Sequence, residues 1–567
     1  MMFGFKKEEV TPCKYWKLYE KGIDYINKKQ IVNRTNRNWN FFSGRQWEGL
    51  QTGGEELPFQ NFIKPTIKHK VSTVSQNNMV AHYSDAEGNE ELTPVYAMLD
   101  QKFSACWEHA NMDMILWSTI KDAAVTGDGL LYFGTEDMSD VQKLPNTSFL
   151  YGDESEPDIQ KQPYVIIHQR LLVRTVREMA RANGIPEDEI ELIIPDQETE
   201  YLVGNRDEVD EDSTSGTSKV TVLFYFTKVD GIVHIAKCTK AVVFEPLRAV
   251  TSIKADGTIG TGLTLYPIVK YSWENFPNDA RGLSEVEQLI PNQLEYNKTM
   301  ARISMIIKLS AYPRLAYAED AITNPEELER VGKPIGIRTG GVQSINQMIQ
   351  YLDPAQTSSL PQSYAEDLMK YTQELSGSGE TAMGNINPNR VAATAIIAIR
   401  DQAALPLNEQ VAKMKTFVED YAKLAIELWM VYNPDGMSVL MTDTDEIGNE
   451  IQYMRTITKE DWDRLKPDIR IDTSQDSPWT KEAEQNLLDL LLDKGHINFE
   501  EYVELSTEHG IVPKNKLKKI LEKRKLMQEQ QQAQMMAQEE EAQREAMLSD
   551  PGGYAKAQWE ELEGSEQ

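Results

Sequence analysis

Helix signals between residues 282 and 434 constrain this chain more than any other feature of its sequence. Ser284 has the spacing of a capping box with Glu287, which predicts that a long helix begins there. Tyr312-Pro313 ends this helix, and Pro291 is predicted to kink it near its start, because proline lacks a backbone N–H. The apolar positions of the helix recur at helical spacing, at Ile303, Ile306, Ile307 and Ala311.

Short runs replace the helical pattern between Tyr312 and Pro354. The segments PRLAYAEDAI and KPIGIRTGGVQSI predict strands, the second of them around a Gly340-Gly341 turn. The segment NPEELERVG between them predicts a small acidic helix. We therefore expect a compact insert that is held between two helices.

Two further helices follow the insert. One is predicted over Leu360–Leu375, and the next segment, SGSGETAMGNINPNR, has too many Gly and Asn residues for regular structure. Asn387 then offers an N-cap, with Pro388 at the first helical position. A long helix is predicted from there to Tyr432, about 65 Å at about 1.5 Å per residue, with a bend at Pro406.

Residues 1–281 have a mixed pattern of helices and strands. Helices are predicted at Lys14–Asn27, Thr66–Asn77 and Tyr96–Ala124, and strands at GLLYFGTED, Tyr164–His168, Lys219–Thr227 and Ile232–Phe244. The acidic segment Pro195–Ser218 is predicted to be an exposed loop. An aromatic cluster favours buried core over base stacking in so acidic a chain, and it comprises Trp39, Phe41, Phe42 and Trp47.

The chain after Tyr432 is predicted to form a hairpin over Ser438–Ile457 with its turn at TDEIGNE, a strand at Asp468–Asp472, and helices from Trp479 onward. The hairpin resembles a calcium loop at Asp443, Asp445 and Gly448. However, Ile447 fills a ligand position and Met454 stands where a bidentate Glu is needed, so we expect no metal. Beyond Met527 the composition favours a frayed or disordered tail.

Charge, cysteine content and hydropathy restrict the class of protein. The formal net charge of -30 opposes tight binding of nucleic acid through phosphate neutralisation. Cys13, Cys106 and Cys238 are few, odd in number and far apart, which favours a reduced cytosolic chain without a disulfide framework. No run approaches the roughly 18 apolar residues that cross a bilayer, and the first residues lack the apolar core of a secretory signal, so we expect no membrane partner.

The sequence contains no motif that predicts an enzyme. Gly332-Lys333 is followed by Pro334 and has Glu327 where the first glycine of a phosphate-binding loop belongs, so a nucleotide cradle is not expected. The segment SGSGETAMG follows a helix instead of a strand, unlike a dinucleotide fingerprint. No H-E-x-x-H or G-x-S-x-G pattern occurs. We therefore expect neither catalysis nor a cofactor.

The order of helix, insert, helix, glycine-rich loop and long helix resembles that of the portal proteins of tailed bacteriophages. The blocks RNWNFFSGRQWEG, NFIKPTIKHKVSTVSQNN, WSTIKDAAVTGDGLLYFGTED and YPIVKYSWENFPNDARGLSEVEQLIPNQLEYNK fit upstream of it. Each block is a loose pattern, so the specificity of the resemblance lies in their order and spacing. The resemblance covers nearly the whole chain.

The resemblance implies an α+β, helix-rich subunit that assembles into a closed ring with a central channel. It implies these parts: 1–281 an N-terminal α/β wing, 282–311 the first stem helix, 312–353 the clip insert, 354–375 the second stem helix, 376–390 the tunnel loop, 391–434 the long kinked wing helix, 435–478 wing strands, 479–527 a helical crown and 528–567 a low-complexity tail.

The resemblance also implies function, partners and candidate site residues. The ring, of twelve copies, lies at one capsid vertex of a virion assembled in the bacterial cytoplasm. Double-stranded DNA passes through it, driven by a separate large terminase, and capsid, scaffolding and head-tail adaptor or neck proteins contact it. The tunnel-loop candidates are Ser376, Gly377, Gly379, Asn385, Asn387, Asn389 and Arg390. The clip candidates for terminase and adaptor binding are Asp320, Glu326, Glu327, Glu329, Arg330 and Lys333.

Two other interpretations stay open at the level of the sequence. The long helices also suit a structural or scaffold protein of the virion without a DNA channel, and a nucleic-acid-processing enzyme comes third. Discrete closure of an oligomer separates the ring from the scaffold, whereas metal- or nucleotide-dependent turnover would favour the enzyme.

Overall fold

The computed structural model describes residues 12–48, 57–134, 140–196, 218–253, 259–311, 315–317, 322–324, 326, 336–338, 349–351, 359–377, 379, 405–444, 450–475, 488–495, 497 and 502. These residues combine helices and sheets. The chain divides into two compact units, one of residues 1–437 with 457–474 and the other of residues 438–456 with 475–567.

The largest sheet has five antiparallel strands in the order β4-β5-β6-β7-β8. Its strands are β4 (Phe149–Tyr151), β5 (Tyr164–Leu172), β6 (Lys219–Val229), β7 (Ile232–Cys238) and β8 (Val243–Ala249). Side chains alternate between the two faces of a strand. In β6, Val220 and Val222 pack into one apolar cluster and Leu223 into another, so both faces of the sheet are covered.

Helices cover these two faces. Tyr15, Trp16 and Tyr19 of α1 (Lys14–Lys28) pack on one face, and Val176 of α6 (Val173–Ala182) and Ile190 of α7 (Glu187–Glu191) pack on the other. The predicted helix at Lys14–Asn27 and strands at Tyr164–His168 and Lys219–Thr227 are confirmed.

The prediction of one strand over Ile232–Phe244 is wrong, because the chain turns back after Cys238. The backbone N–H of Thr239 donates to the carbonyl of Val242 at 2.8 Å, and this bond closes the turn between β7 and β8. The predicted loop at Pro195–Ser218 lies almost entirely outside the described residues.

A helical layer surrounds a second, three-stranded sheet with the order β11-β2-β3. Its strands are β2 (Asp128–Phe133), β3 (Val141–Leu144) and β11 (Ile268–Ser272), and the helices are α2 (Ile31–Ser43), α3 (Ile63–Ser75), α4 (Thr93–His109) and α5 (Met112–Thr126). Phe41 and Phe42 of the aromatic cluster are buried in α2, as predicted.

Two helix predictions in this layer are corrected. The single helix over Tyr96–Ala124 is two helices, because Asn111 adopts a left-handed backbone conformation, with φ of 52°, and interrupts the helical path. The helix over Thr66–Asn77 begins at Ile63 and ends at Ser75, and Asn77 instead begins strand β1 (Asn77–Asp85). That strand pairs with β16 (Pro467–Gln475), which is remote in the sequence, so local patterns do not predict the pairing.

Three long helices dominate the rest of the first unit: α8 (Glu285–Ala311), α9 (Leu360–Leu375) and α10 (Asn408–Tyr432). The predicted helix over Leu360–Leu375 is confirmed, as are the ends of the other two before Tyr312 and Asn433. Pro406 does not bend a continuous helix in the described residues. It lies in a 3-10 turn, Leu405–Leu407, and α10 begins only at Asn408. The predicted start at Asn387 lies outside the described residues.

Helix α10 forms the centre of the helical core. The ring of Tyr421 lies 5.3 Å from that of Phe103 and 5.1 Å from that of Phe133, measured between centroids. The hydroxyl of Tyr271 donates to the carbonyl of Gln410 at 3.1 Å and fixes α10 to β11. Thus α10 connects the helical layer to the three-stranded sheet.

Smaller elements complete the described chain. Strand pairs are β9 (Thr251–Ile253) with β10 (Ile259–Gly262), β12 (Leu315–Tyr317) with β13 (Ile349–Tyr351), and β14 (Gly436–Thr444) with β15 (Glu450–Thr458), and a short helix α11 (Lys459–Arg464) precedes β16. The predicted hairpin over Ser438–Ile457 and strand at Asp468–Asp472 are confirmed. Residues 488–493 are helical, and the crown beyond them lies mainly outside the described residues.

Candidate functional site

The first turn of α8 is capped by Ser284. Its hydroxyl accepts from the backbone N–H of Glu287 at 3.4 Å and donates to the carbonyl of Val125, at the end of α5, at 2.6 Å. The side chain of Glu287 does not return to the cap, as a full capping box requires. It accepts hydrogen bonds from the guanidinium of Arg34 at 2.7 and 3.1 Å instead. Only the Ser284 half of the predicted capping box forms, and Glu287 joins α8 to α2.

Two glycines, Gly127 and Gly282, let the segment just before α8 approach the end of α5 backbone to backbone. Gly127 has a φ of +105°, and a side chain there would clash with the carbonyl oxygen of Gly282. The backbone N–H of Gly282 donates to both carboxylate oxygens of Asp128 at 2.9 and 3.0 Å, and Ser272 donates to the same carboxylate at 2.7 Å. Asp128 is buried, and these contacts fix the entry of α8.

Arg281 is a second buried charged residue at this entry. Its guanidinium binds both carboxylate oxygens of Glu154, at 3.1 and 3.2 Å, and donates to the carbonyls of Asn146 and Phe149, both at 3.1 Å. It also lies 5.1 Å from the ring centroid of Tyr151. Burial works against this charge, but the neighbouring Glu154 carboxylate raises the pKa of Arg281 above its ordinary value.

A second charged pair lies on the first turn of α8. Lys70 of α3 binds Glu285 at 2.6 Å, with 10% and 13% of the two side chains exposed. The other oxygen of Glu285 accepts from the indole N–H of Trp273 at 3.0 Å. A carboxylate at this position also suits the positive end of the helix dipole. We call the set Arg281, Gly282, Ser284, Glu285 and Glu287 the root of α8.

Buried amides fix the middle of α8. The side chain of Gln293 accepts from the backbone N–H of Phe62 at 3.1 Å and donates to the carbonyl of Gln60 at 2.8 Å and to Asn297 at 3.0 Å. Asn297 donates in turn to the side chain of Gln46. Gln293 and Asn297 are both fully buried, so this side of α8 faces the helical core.

Helix α9 lies against α8. The amide of Asn292 donates to the hydroxyl of Thr372 at 3.0 Å, a partly buried side-chain bond between the two helices. The insert between them returns to its start, because Ala316 of β12 pairs with Gln350 of β13. The two helices and the ends of the insert therefore form one continuous element.

The far half of α8 and much of α9 expose apolar side chains. On α8, Met305 is 63% and Ile307 is 61% exposed, and on α9 Leu360 is 72%, Tyr371 is 58% and Leu375 is 86% exposed. Single exposed apolar residues are ordinary, but a row of them on paired helices is typical of a protein interface. We call Met305, Ile306, Ile307, Leu360, Tyr364, Tyr371 and Leu375 the apolar rim.

Only part of the predicted tunnel loop lies within the described residues. Ser376 and Gly377 form the turn that ends α9, where the N–H groups of Ser376 and Gly377 donate to the carbonyls of Thr372 and Glu374, both at 3.0 Å. Gly377 has a φ of +70°, so it acts as the glycine that terminates a helix. Gly379 is described without regular structure. Asn385, Asn387, Asn389 and Arg390 lie outside the described residues.

Little of the predicted clip is described either. Glu326 is exposed, whereas Asp320, Glu327, Glu329, Arg330 and Lys333 lie outside the described residues. Within the insert, Ile322 pairs with Ile337, and the N–H of Gly336 donates to the side chain of Asn324 at 2.8 Å. Two segments of the insert are thus held side by side.

The chain is acidic overall, but residues 12–48 form a basic region that our sequence analysis overlooked. Residues 12–48 contain eight Lys or Arg and three Asp or Glu, in a chain with a net charge of -30. On α1, Lys14, Lys17, Lys21 and Lys28 recur at helical spacing on the side opposite Trp16, and all four are exposed. A count of charge in successive windows would have found this region.

The described residues offer no other obvious site. Among them no cluster of three His, Cys, Asp or Glu is arranged to hold a metal ion. No described helix is both long and apolar enough to span a bilayer.

The family model described as "Phage P22-like portal protein" matches residues 177–566, well over half of the chain. Among solved structures, the fold resembles a chain from the "Virion of native gene transfer agent (GTA) particle", with 11% identity, a TM-score of 0.35 and coverage of 84% of this chain and 92% of that chain. It also resembles a chain from the "Neck of empty GTA particle computed with C6 symmetry", with 12% identity, a TM-score of 0.33 and coverage of 78% and 88%. No protein with a curated function matches the sequence.

Proposed function

Because the chain belongs to the phage P22-like portal protein family, we propose that it forms a closed ring at one capsid vertex, through which double-stranded DNA is packaged and later ejected. A separate terminase drives the DNA, and neck and tail proteins later attach to the same ring. The ring contacts the capsid and scaffolding proteins of a virion that assembles in the host cytoplasm. The protein itself has a structural role in this proposal.

The observation that carries the proposal is the contrast along α8 between its root and the apolar rim. The root is held by buried hydrogen bonds and ion pairs, so it fixes the direction in which α8 and α9 project. The apolar rim is exposed in the single chain and needs a partner. A copy of the same chain, packed in a head-to-tail manner, covers the rim of each neighbour and closes into a ring.

The dimensions of α8 suit the wall of a channel for a DNA duplex. With 27 residues, the helix is about 40 Å long. Twelve such helices at a spacing of about 9 Å have a circumference of roughly 110 Å, and hence a diameter near 35 Å at the helix axes. Subtracting about 10 Å for helix thickness leaves an opening of roughly 25 Å, which admits a B-form duplex.

The net charge of the chain suits passage of DNA rather than tight binding. A predominantly acidic wall repels phosphates, and so keeps the duplex centred and mobile. In this proposal the tunnel loop of residues 376–390 makes weak, sequence-independent phosphate contacts through its amides and Arg390. The clip residues of the insert face first the terminase and then the adaptor.

Reversal of one charge in the loop tests the role in DNA passage. We expect Arg390→Glu to lower the yield of packaged DNA while rings still form, because the substitution removes a phosphate contact and adds a repulsive charge. Arg174→Glu is the matched control, since Arg174 lies on α6 in the outer part of the first unit with 84% of its side chain exposed. Packaging would be measured as nuclease-protected DNA per particle. Equal yields from the wild type and Arg390→Glu would remove the proposed role of the loop.

A further inference from the structure

Two of the three cysteines lie together, although 225 residues separate them in the sequence. Cys238 ends β7 and is fully buried, and Cys13 packs against the same apolar cluster below α1. The backbone N–H of Cys13 donates to the carbonyl of Lys240 at 3.1 Å, and its thiol donates to the carbonyl of Thr239 at 3.6 Å. Cys13 therefore contacts the turn that directly follows Cys238, and both side chains belong to the same packed cluster.

The two thiols differ in their exposure and in the direction in which their surroundings shift the pKa. The hydrogen bond from Cys238 is the main cause that lowers the pKa of Cys13 to about 6, and the N–H groups of Tyr15 and Trp16 at the start of α1 act in the same direction. The same contact and burial raise the pKa of Cys238. Cys13 is partly exposed, so its thiolate can react with a molecule in solvent, whereas Cys238 is buried in the core. This arrangement of an attacking and a resolving thiol is typical of redox-active pairs.

We propose that Cys13 and Cys238 are an oxidisable pair that closes to a disulfide when the protein meets an oxidised low-molecular-weight disulfide, such as oxidised glutathione. The Cys13 thiolate attacks one sulfur of the oxidant and forms a mixed disulfide, and the first glutathione leaves as a thiolate. Cys238 then attacks the sulfur of Cys13, and the second glutathione leaves as a thiolate that takes up the proton of Cys238. Two protein thiols are thereby oxidised, and one glutathione disulfide is reduced to two thiols.

The bond would fix α1 to the end of β7 across a loop of more than two hundred residues. A cross-link that closes so long a loop strongly reduces the conformational entropy of the unfolded chain. Because the pair lies in the sheet region and not at the apolar rim, its oxidation does not depend on the proposed role in DNA passage. A particle that leaves a reducing cytoplasm would gain stability without a change in its assembly.

Counting thiols in the full-length protein tests the proposal. After treatment with oxidised glutathione and removal of the excess, we expect the number of titratable thiols under denaturing conditions to fall from three to one. Mass spectrometry should find one cross-linked peptide that joins Cys13 to Cys238 and no bound glutathione. We also expect the thermal midpoint to rise by about 3 °C or more relative to the reduced protein.

Single substitutions provide the controls. Cys106→Ser should still lose two thiols, since Cys106 is buried elsewhere in the helical core. Cys238→Ser should retain a stable mixed disulfide with glutathione at Cys13, because the resolving thiol is gone. Three free thiols in the treated wild type, or glutathione that stays on Cys13 in the wild type, would overturn the proposal even where a variant fails to fold.

Discussion

The root of α8 is enclosed by the chain's own polar and charged groups, whereas the far half of the same helix presents apolar side chains to solvent. At the root, the buried Arg281 binds the mostly buried carboxylate of Glu154 and two backbone carbonyls. In the apolar rim, Met305 and Ile307 are more than half exposed. In the proposed function, one helix therefore has two roles: the root stabilises the subunit, and the apolar rim contacts a neighbouring copy. Substitutions in the two regions should therefore affect different measurements.

The largest loss of stability is expected from Arg281→Ala. The substitution leaves the Glu154 carboxylate and two backbone carbonyls buried without their partner, which costs about 3–5 kcal/mol. Urea unfolding followed by circular dichroism measures the change. Arg34→Ala is the matched control, because the Arg34–Glu287 pair is half-exposed and should contribute less than about 1 kcal/mol. Equal losses of stability from the two variants would contradict the distinction between the buried and the half-exposed contacts of the root.

The next largest effect is expected from Gly127→Ala. A β-carbon there meets the carbonyl of Gly282 and also requires a left-handed backbone, so we expect a loss of about 2–3 kcal/mol in the free energy of unfolding. Gly184→Ala isolates the conformational part, because Gly184 has a similar φ of +75° with open space around it, and should lose about 1 kcal/mol. If Gly184→Ala lowers the free energy of unfolding as much as Gly127→Ala does, the close backbone approach at the root does not contribute to stability.

A smaller loss is expected from Gln293→Leu. The change leaves the buried N–H of Phe62 without its acceptor and removes the bond to the partly buried carbonyl of Gln60, at a cost of about 1–3 kcal/mol in the free energy of unfolding. Gln362→Leu, at an exposed position of α9, should change stability by less than about 0.5 kcal/mol. Comparable unfolding midpoints for the two variants would mean that the amide network does not anchor α8.

The smallest change in the stability of the subunit is expected from Ile307→Asp, at less than about 0.5 kcal/mol, because the side chain is already exposed. Its effect on assembly should be large, since a charge would be buried between copies. Size-exclusion chromatography with light scattering would report the loss of the oligomer. Met179→Asp, an equivalent change on α6, should still assemble, and a normal oligomer from Ile307→Asp would refute the interface at the rim.

The long elements of the fold were predictable from local sequence. The bounds of α9 and the ends of α8 and α10 follow from helical periodicity and from Pro313 and Pro434. Helix α2 was missed, because its sequence is rich in Asn and in β-branched and aromatic residues, which have weak helical propensity. It forms because Phe41 and Phe42 are buried and Asn38 donates to the carbonyl of Val125 at 3.0 Å.

Most of the root could not be predicted, because its contacts join residues that are remote in the sequence. Asp128 and Gly282 are 154 positions apart, and no periodicity signals that the carboxylate caps that turn. The pairing of Cys13 with Cys238 was hidden in the same way, and wide spacing alone suggested unrelated thiols. Local patterns specify elements, whereas buried polar contacts appear only when distant segments fold together.

Native mass spectrometry of the purified protein, combined with averaged electron-microscope images along the symmetry axis, tests the central claim most directly. The account predicts a complex near twelve times 64.6 kDa with an open centre wide enough for a DNA duplex. A stable dimer, an open filament, or a closed assembly without an axial opening would contradict it and would favour a scaffold protein without a DNA channel.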